Sequence, residues 1–212
     1  MGFLGSIERK IKRKLIFKLD YSGERVVPTE MHGDVYTWSE HLSRYVFALR
    51  YAANKDILDV ACGTGYGSAL LSSVAANVVG IDVSQEAILW AKKHNSFYSP
   101  VHFLVKDIDK SLITGSFDLI VSFETVEHLS NPGKFLSNIR HCLRSKGKFI
   151  FSVPLEDPPN KFHKFRYNWK LTESLMTPIL GKQIEWYSQT DMNISKGMQP
   201  KAKFALGIWT KD

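Results

Sequence analysis

The sequence ILDVACGTGYG, residues 57–67, decides the fold of this chain. Its first five residues form an apolar run with one acid, which is typical of a buried parallel strand. Three glycines follow at alternate positions, and the next residues, SALL (68–71), begin a helix. Glycine lets the backbone turn sharply and approach a ligand, and the helix N-terminus behind it offers unpaired N–H groups. The stretch therefore predicts a loop that binds a nucleotide-type cofactor.

A second strand supports this interpretation. The apolar run VVGID (78–82) ends in an acid 17 residues after Gly65, where a carboxylate can accept hydrogen bonds from ribose hydroxyls. Nicotinamide and flavin binders carry the spacing G-x-G-x-x-G. The glycines here follow G-x-G-x-G, and Asp59 precedes the first of them by four residues. The spacing therefore disfavours a nicotinamide oxidoreductase.

These residues make the chain resemble the class I S-adenosylmethionine-dependent methyltransferases, whose first motif reads much like LDVACGTGYG. The resemblance continues through FLVKDI (103–108) and FDLIVSFE (117–124), and it covers residues 40–155 well. Within the class, the chain is similar to types 11 and 23, including those associated with glycan biosynthesis. The resemblance implies S-adenosylmethionine as the cofactor and methyl transfer as the activity.

The order of the remaining elements favours the same fold. Strands are predicted at 56–61, 78–82, 101–105, 117–122 and 147–153, and helices at 38–53, 66–75, 84–94 and 131–143. This alternation predicts a doubly wound parallel sheet. After a further helix at 171–180, the segments 182–187 and 204–209 are separated by a loop alone and can pair antiparallel. We therefore expect an α/β fold with a mostly parallel, seven-stranded sheet and an antiparallel C-terminal hairpin.

The resemblance also implies which residues bind the cofactor. The glycine loop lies behind the methionine and ribose moieties, Asp82 binds the ribose hydroxyls, and Asp107 with its neighbour lies beside the adenine. The expected cofactor-binding residues are Arg44, Asp59, Ala61, Gly63, Gly65, Tyr66, Asp82, Val83, Asp107, Ile108, Phe123 and Glu124.

Each of the three acids in this set also has a plain structural alternative. Asp59 orders the loop or reaches the methionine amine, or else it is a strand-end acid that accepts backbone N–H groups. Asp82 could instead cap the helix predicted at 84–94, and Asp107 could stabilise a turn. The functional role is the expected one for each of them, partly because an isolated buried carboxylate is costly.

The segments SGERVVP (22–28) and EHLSRY (40–45) resemble a region of methyltransferases found with glycan-assembly enzymes, where it tends to cover the cofactor. In this interpretation, Arg44 or Arg25 pairs with the methionine carboxylate and Tyr45 packs over it. The alternative is ordinary surface charge on a helix.

Glu127 and His128 follow the predicted fourth strand, where the resemblance places the methyl-transfer site. Methylation of a hydroxyl requires removal of a proton, and histidine, with a pKa near 6.5, suits a general base. His128 is therefore the candidate base, and Glu127 is the residue that orients it. Two alternatives stay open: the pair is structural, or alignment of the methyl group with its acceptor is sufficient without a base.

The acceptor class is indicated by a motif that the chain lacks. Relatives that methylate amides or adenine carry Asn or Asp with two prolines and an aromatic residue after the fourth strand, whereas this chain has SFET (122–125). We therefore expect no nucleic-acid partner and a small-molecule or glycan acceptor methylated on oxygen, such as a sugar or lipid-linked precursor. The alternatives are a quinone-pathway or other small-molecule O-methyltransferase and a non-catalytic cofactor-binding scaffold.

His163 lies in an acceptor-side segment of the resemblance, but KFRYNW (164–169) departs from its usual pattern.

Length and composition predict a globular, cytoplasmic protein. The chain has 212 residues, of which 44% are hydrophobic, and no apolar run approaches the ~18 residues of a transmembrane helix. The N-terminus lacks the apolar segment of a secretory signal. Two cysteines, Cys62 and Cys142, do not suggest a disulfide framework, and no cysteine or histidine cluster has metal-ligand spacing. No metal is therefore predicted, and the oligomeric state stays open.

Most of the net charge lies at the N-terminus. Residues 1–18 carry six basic residues and one acidic residue, a net charge of +5 against +7 for the whole chain. Apolar residues recur at spacings of three and four over 3–19, which predicts an amphipathic helix. This helix either contacts the inner membrane surface peripherally or packs its apolar stripe on the domain. We divide the chain into a basic helix with a lid segment (1–36) and a methyltransferase domain (37–212).

Overall fold

The computed structural model describes residues 35–95, 100–155 and 163–212. Over these ranges the chain forms five α-helices and eight strands. The helices are α1 (Val35–Ala48), α2 (Tyr66–Ser72), α3 (Gln85–Asn95), α4 (Pro132–Cys142) and α5 (Trp169–Leu180). The strands are β1 (Asp56–Val60), β2 (Asn77–Asp82), β3 (Val101–Val105), β4 (Phe117–Phe123), β5 (Leu143–Pro154), β6 (Ile184–Thr190), β7 (Asn193–Lys196) and β8 (Phe204–Thr210).

The strands form one sheet in the order β3-β2-β1-β4-β5-β8-β6-β7. The first five strands in this order are parallel to one another. By contrast, β8 runs antiparallel to β5, and β6 runs antiparallel to β8. The predicted α/β fold, mostly parallel with an antiparallel C-terminal pair, is confirmed.

An added strand and several element boundaries differ from the prediction. Strand β7 pairs with β6 at the edge of the sheet and adds an eighth strand. It has four residues, of which Ile194 is the one apolar member, so it offers no alternating apolar pattern to detect. The strand predicted at 182–187 is β6, which extends to Thr190. The helix predicted at 38–53 ends at Ala48 and is followed by a 3-10 turn, Leu49–Tyr51.

Helices cover both faces of the sheet, and the side chains of the central strand β1 alternate between the two buried faces. Leu58 and Val60 pack with α4 and α5 on one face, and Ile57 packs with α1 and α3 on the other. Val60 is level with Ile81 of β2 and Ser122 of β4. In the sheet, β2 and β3 lie on one side of β1, and β4 and β5 lie on the other. Because the strand order reverses at this point, the loops after these strands meet around one crevice.

Side chains cap the starts of two helices. Ser84 Oγ accepts a hydrogen bond from the backbone N–H of Ala87 ahead of α3, at 3.2 Å. Asn131 Oδ1 accepts from the N–H of Lys134 at 2.9 Å, and Pro132 takes the first position of α4. These caps fix where the loops after β2 and β4 end.

Residues 1–34, 96–99 and 156–162 lie outside the described residues. The predicted basic helix, the segment SGERVVP and Arg25 all fall there, so the division of the chain at residue 36 stays a prediction. Among the helices of the described ranges, none combines the length and the apolar character that a membrane span requires.

Candidate functional site

A cleft of about 480 Å³ lies beyond the carboxyl ends of β1, β2, β3 and β4. This volume is in the range of small-molecule sites. The loops after these strands and the inner side of α1 supply its walls. The lining residues are His41, Tyr45, Ala61, Cys62, Gly63, Tyr66, Ile81, Asp82, Val83, Lys106, Asp107, Ile108, Asp109, Phe123, Glu124, Thr125, His128 and Leu129.

The glycine loop turns through three residues with left-handed backbone, Ala61 (φ 59°), Gly63 (φ 55°) and Gly65 (φ 79°). A Cβ built on Gly63 would meet no atom within 4 Å, because Gly63 faces the open cleft. A Cβ on Gly65 would lie 2.6 Å from the Phe103 ring and 2.7 Å from Ala91 Cβ. Gly65 therefore supports the loop from behind and does not line the cleft, although a cofactor contact was predicted for it.

Asp82 ties the glycine loop to the entry of α3. Its Oδ2 accepts from the N–H of Gly63 at 2.8 Å, and its Oδ1 accepts from the N–H of Ser84 at 2.8 Å. Since Ser84 itself caps α3, Asp82 is not the helix cap of the alternative prediction. A carboxylate has about four lone-pair positions, so Asp82 can still accept hydrogen bonds from a ligand in the cleft.

Asp59 is completely buried beneath the loop. It accepts hydrogen bonds from Ser68 Oγ at 2.6 Å and from the Tyr45 hydroxyl at 3.2 Å. Burial raises the pKa of Asp59 to about 7, although these two hydrogen bonds oppose the shift. Asp59 thus joins α1 to α2 through side-chain hydroxyls beneath the loop, which fits the predicted ordering of the loop. Its contact with the methionine amine stays a prediction.

This buried acid makes the stability depend on pH. The folded protein holds the Asp59 proton more tightly than the unfolded chain, so the ionised acid costs stability as the pH rises from about 4 to about 7. Asp59→Asn removes that cost. We expect the stability of the variant relative to the parent to increase between pH 5 and pH 8, by roughly 2–4 kcal/mol at most.

Thermal melting followed by circular dichroism at several pH values measures this difference. Asp118→Asn is the matched control. Although burial raises the pKa of Asp118, the N–H of Asp56 and the guanidinium of Arg144 lower it further, to below its usual value. The stability that the ionised Asp118 contributes should therefore be lost toward acid pH, whereas the cost of the ionised Asp59 grows toward alkaline pH. A pH-independent difference between Asp59→Asn and the parent would show that the acid is not held protonated.

Helix α1 closes the cleft with aromatic side chains. The Tyr66 hydroxyl lies 3.3 Å from His41 Nδ1, and the Tyr66 ring packs 4.7 Å from Trp38, centroid to centroid. The Tyr45 ring packs edge-on against Phe123 at 5.0 Å. Gly67 allows this arrangement, because a Cβ there would lie 2.0 Å from the Tyr45 ring. The predicted cover over the cofactor loop therefore begins at α1.

Glu124 follows β4 with a left-handed backbone (φ 51°), which is rare for a residue other than glycine. Ser152 holds it on both sides: the Glu124 N–H donates to Ser152 Oγ at 3.1 Å, and Ser152 Oγ donates to Glu124 Oε1 at 2.6 Å. Burial raises the pKa of the Glu124 carboxyl, and Arg44 opposes the shift. The carboxylate lines the cleft at the end nearest α1.

Arg44 lies behind Glu124 and is completely buried. Its Nε donates to Gln189 Oε1 at 2.7 Å, and the guanidinium lies 4.2 Å from the centroid of the Phe204 ring. Its Nη1 is 3.9 Å from Glu124 Oε1, and neither Nη atom hydrogen-bonds to a described residue. Arg44 is thus a cation one side chain away from the cleft, rather than part of its lining.

His128 and Glu127 lie in a 3-10 turn after β4. His128 lines the cleft, its Nε2 is 3.9 Å from Glu127 Oε1, and its ring packs edge-on against His163 at 4.8 Å. The ligand atoms of all three residues lie within 4.8 Å of one another, close enough for one metal ion. The linear spacing of these residues gives no sign of this cluster, and the absence of a metal stays a prediction.

At the far end of the cleft, Asp107 and Asp109 follow β3. Asp107 Oδ1 accepts from the N–H of Asp109 at 3.0 Å, and the bonded Lys110 lowers the pKa of Asp107. Asp109 accepts from both the N–H and the hydroxyl of Ser130, which links the loops after β3 and β4. Asp107 therefore stabilises a turn and also lines the cleft, and its role beside the adenine stays a prediction.

Comparison with known proteins bears on what this cleft binds. Residues 58–151 match the methyltransferase domain family. A probable S-adenosylmethionine-dependent methyltransferase of Mycolicibacterium smegmatis is 29% identical over 168 residues, 75% of this chain and 64% of that protein. The mitochondrial ubiquinone biosynthesis O-methyltransferase of Schizosaccharomyces pombe is 30% identical over 106 residues, 48% of this chain and 38% of that one.

The family match covers β1 to β5, the strands whose loops build the cleft. Residues 58–151 are thus similar to a methyltransferase domain. The relatives support the class I, S-adenosylmethionine-dependent type and S-adenosylmethionine as the cofactor of the domain. The chain spans 64% of the length of the mycobacterial relative.

One solved structure supports the fold of this methyltransferase domain. N-methyltransferase NodS from Bradyrhizobium japonicum, in complex with S-adenosyl-L-homocysteine, has a TM-score of 0.66 at 16% identity and covers 96% of this chain and 97% of that one. The cleft described above also fits such a nucleoside cofactor, because it offers open space at Gly63, spare acceptor positions on Asp82 and an apolar wall at Ile108.

The described structure brings most of the predicted site residues together. Those that line the cleft are Ala61, Gly63, Tyr66, Asp82, Val83, Asp107, Ile108, Phe123, Glu124 and His128. Arg44, Asp59, Gly65 and Glu127 do not line it. His41 was not predicted, although a signal was available, since it lies one helical turn before Tyr45 on the same face of α1.

Asp82→Ala should weaken S-adenosylhomocysteine binding by about 1.5–3 kcal/mol, the usual worth of hydrogen bonds to a charged group. The loss has two sources, the ribose contacts and the anchor of the Gly63 N–H. Isothermal titration calorimetry measures it, and Asp118→Ala, which removes an acid that accepts the N–H of Asp56 at the other end of the sheet, is the control. Equal affinity for parent and Asp82→Ala would leave Asp82 a purely structural residue.

Proposed function

We propose that this protein transfers a methyl group from S-adenosylmethionine to a hydroxyl oxygen of a small-molecule or glycan acceptor, such as a sugar or lipid-linked precursor. The observation that carries the proposal is one cleft that the glycine loop, Asp82 and His128 line together. The cofactor, when bound, supplies an electrophilic methyl group on its sulfonium. The protein has to bind both partners, align them and accept a proton.

The cofactor-side roles are those that the resemblance to class I methyltransferases implies. Asp82 would hold the ribose hydroxyls, Asp107 and Ile108 would flank the adenine, and the segment from Ala61 to Gly63 would support the methionine part. Arg44 keeps its proposed role toward the methionine carboxylate. One observation supports that role, since its Nη groups are buried without hydrogen bonds to described residues. The Glu124 carboxylate lies between Arg44 and the cleft, so this role requires Glu124 to move aside.

The proton would pass to His128, with Glu127 orienting the imidazole. Support comes from the exposure of His128 to the cleft and from the buried Glu127 carboxylate 3.9 Å from Nε2. His163 packs edge-on against the same ring and would border the acceptor. The alternative without a base requires no more than alignment of the methyl group with the acceptor oxygen.

A second candidate function is O-methylation of a quinone precursor or another small molecule. The similarity to the ubiquinone biosynthesis O-methyltransferase of Schizosaccharomyces pombe favours it, although that match spans 48% of this chain. A non-catalytic scaffold that binds the cofactor without turnover is the third possibility. An intact cleft supports cofactor binding in all three cases.

A methyl-transfer assay separates these functions. The purified full chain is incubated with methyl-labelled S-adenosylmethionine and three acceptor sets: sugars and nucleotide sugars, lipid-linked glycan precursors, and catechol-type quinone precursors. We expect label on a glycan or lipid-linked acceptor, in an alkali-stable ether. Label on the catechol set alone would favour the second function, and cofactor binding without label on any set would favour the scaffold.

Residues 1–18 should act separately from catalysis, at the inner surface of a membrane, in an otherwise cytoplasmic protein. Deletion of this basic arm should leave S-adenosylhomocysteine affinity intact and reduce binding to anionic vesicles in a flotation assay. The reduction should fade with added salt, because surface charges are screened over about 8–10 Å. Equal vesicle binding by both proteins would contradict membrane contact, and a lower melting temperature after deletion would favour a helix packed on the domain.

A further inference from the structure

A second concavity, of about 310 Å³, lies at the end of the sheet opposite the cofactor cleft. Three elements surround it: the 3-10 turn after α1, the loop that leads into β1, and the first turn of β5, where the pairing with β4 is irregular. Its walls carry the cations Arg50, Lys55, Lys146 and Lys148 and one acid, Asp118.

The charges in this concavity are unbalanced. Arg50, Lys55, Lys146 and Lys148 form no ion pair with a described residue. Asp118 is already engaged, since its Oδ2 lies 2.8 Å from Arg144 Nη1 and accepts the N–H of Asp56 at 3.0 Å. Arg144 also pairs with Asp56 at 2.9 Å, so the concavity and its rim hold five cations against two acids, an excess of three positive charges.

Two of these lysines are held in place by the fold. Lys146 has a left-handed backbone (φ 60°), which is unfavourable for lysine. Two backbone hydrogen bonds fix that turn: Lys146 N–H to the carbonyl of Lys211, and Lys211 N–H to the carbonyl of Gly147, at 2.8 and 2.9 Å. Lys148 Nζ donates to Thr210 Oγ1 at 2.8 Å and keeps two further N–H donors. The cations are thus presented on rigid backbone rather than on a loose loop.

We propose that this concavity binds a phosphate-bearing anion, with a diphosphate group as the best match. A phosphate monoester carries about −1.5 to −2 charges near neutral pH, so two linked phosphates match the excess of cations. Lysine and arginine are the side chains that bind phosphate oxygens, and Ser145 adds a neutral hydroxyl on the same walls. The ligand is either a soluble diphosphate or the phosphate headgroups of a membrane.

Titration of the full chain with inorganic pyrophosphate, and flotation with vesicles of phosphatidylglycerol in phosphatidylcholine, test the two sources. The test variant is Lys55→Gln with Lys146→Asn, since asparagine tolerates a left-handed backbone better than most residues. The control variant, Lys93→Gln with Lys182→Gln, removes the same charge from exposed positions outside the concavity. If the test variant melts early, Arg50→Gln with Lys55→Gln replaces it and leaves the turn of Lys146 intact.

Pyrophosphate affinity should fall about tenfold or more in the test variant, because close charges interact strongly, and it should stay within about twofold in the control. Loss of vesicle binding in the test variant but not in the control variant would also support the site, and it would identify lipid headgroups as the source of the phosphate. S-adenosylhomocysteine affinity should be unchanged in both variants, which separates this site from the proposed methyl transfer. Absence of binding in both assays, or equal losses in the test and control variants, would overturn the proposal.

Discussion

Replacement of Gly63 with valine should abolish measurable binding of S-adenosylhomocysteine. Gly63 has a φ of 55°, and a Cβ there would point into the open cleft rather than into the protein. Two methyl groups would then occupy the space in which the cofactor has to approach the backbone. We expect affinity to fall by about 100-fold or more, which is roughly 3 kcal/mol, in a calorimetric titration.

A matched glycine separates this steric effect from backbone strain. Gly197, between β7 and β8, has a φ of 97°, and a Cβ there would also meet no atom within 4 Å, but it does not line the cleft. Gly197→Val should therefore lose roughly 1–3 kcal/mol of stability, as much as backbone strain costs Gly63→Val, and it should keep its affinity for S-adenosylhomocysteine. Gly65→Val is a poorer test, because its side chain would collide with Phe103 and Ala91. Unchanged affinity in Gly63→Val would mean that the cofactor does not approach this loop.

Replacement of His128 with alanine should reduce turnover by 10²–10⁴-fold, roughly, if the imidazole removes the acceptor proton. His128 lines the cleft, whereas the side chain that holds the Gly63 N–H is Asp82, so affinity for S-adenosylhomocysteine should change little. Initial rates with an acceptor found in the labelling assay, combined with calorimetry of the cofactor product, measure the two effects separately.

Two further variants sharpen this test. His141→Ala removes an exposed histidine of α4, outside the cleft, and should leave the rate unchanged. Glu127→Gln keeps the size of the orienting side chain and should lower the rate by less than His128→Ala. A loss of cofactor affinity in His128→Ala, with little loss of rate, would instead show that the Glu127–His128 pair is structural.

Most of the fold could be predicted from the sequence because its signals are local. Apolar runs such as ILDVA (57–61) and VVGID (78–82) identify buried parallel strands, and Ser84 and Asn131 mark helix starts through their caps. Strand β7 could not be predicted, since four mostly polar residues at a sheet edge are stabilised by pairing with β6 and not by their own pattern. The sequence therefore predicts a loop over the polar stretch between 187 and 204.

The site was predictable where a residue's role depends on its position after a strand. Asp82, Glu124 and His128 face the cleft because strand ends meet at one edge of the sheet. Roles that depend on side-chain direction were not predictable. Asp59 points beneath the loop toward Ser68, and Arg44 lies behind Glu124, because packing of α1 against the sheet decides these directions.

The cluster of Glu127, His128 and His163 illustrates the same limit. Its ligand atoms lie within 4.8 Å, yet 35 residues separate His128 from His163 in the chain. The segment after β5 returns to the turn after β4, where the Lys164 N–H donates to the carbonyl of Glu127 at 2.8 Å. Such a juxtaposition is a property of the tertiary fold, and no spacing along the chain encodes it.

Calorimetric titration of the full chain with S-adenosylhomocysteine and, separately, with NADH tests the central claim most directly. The G-x-G-x-G loop and the Asp82 carboxylate predict saturable binding of S-adenosylhomocysteine at one site per chain, with no binding of NADH under the same conditions. Binding of NADH in its place, or absence of S-adenosylhomocysteine binding by a correctly folded chain, would contradict the assignment of this cleft to a methyltransferase cofactor.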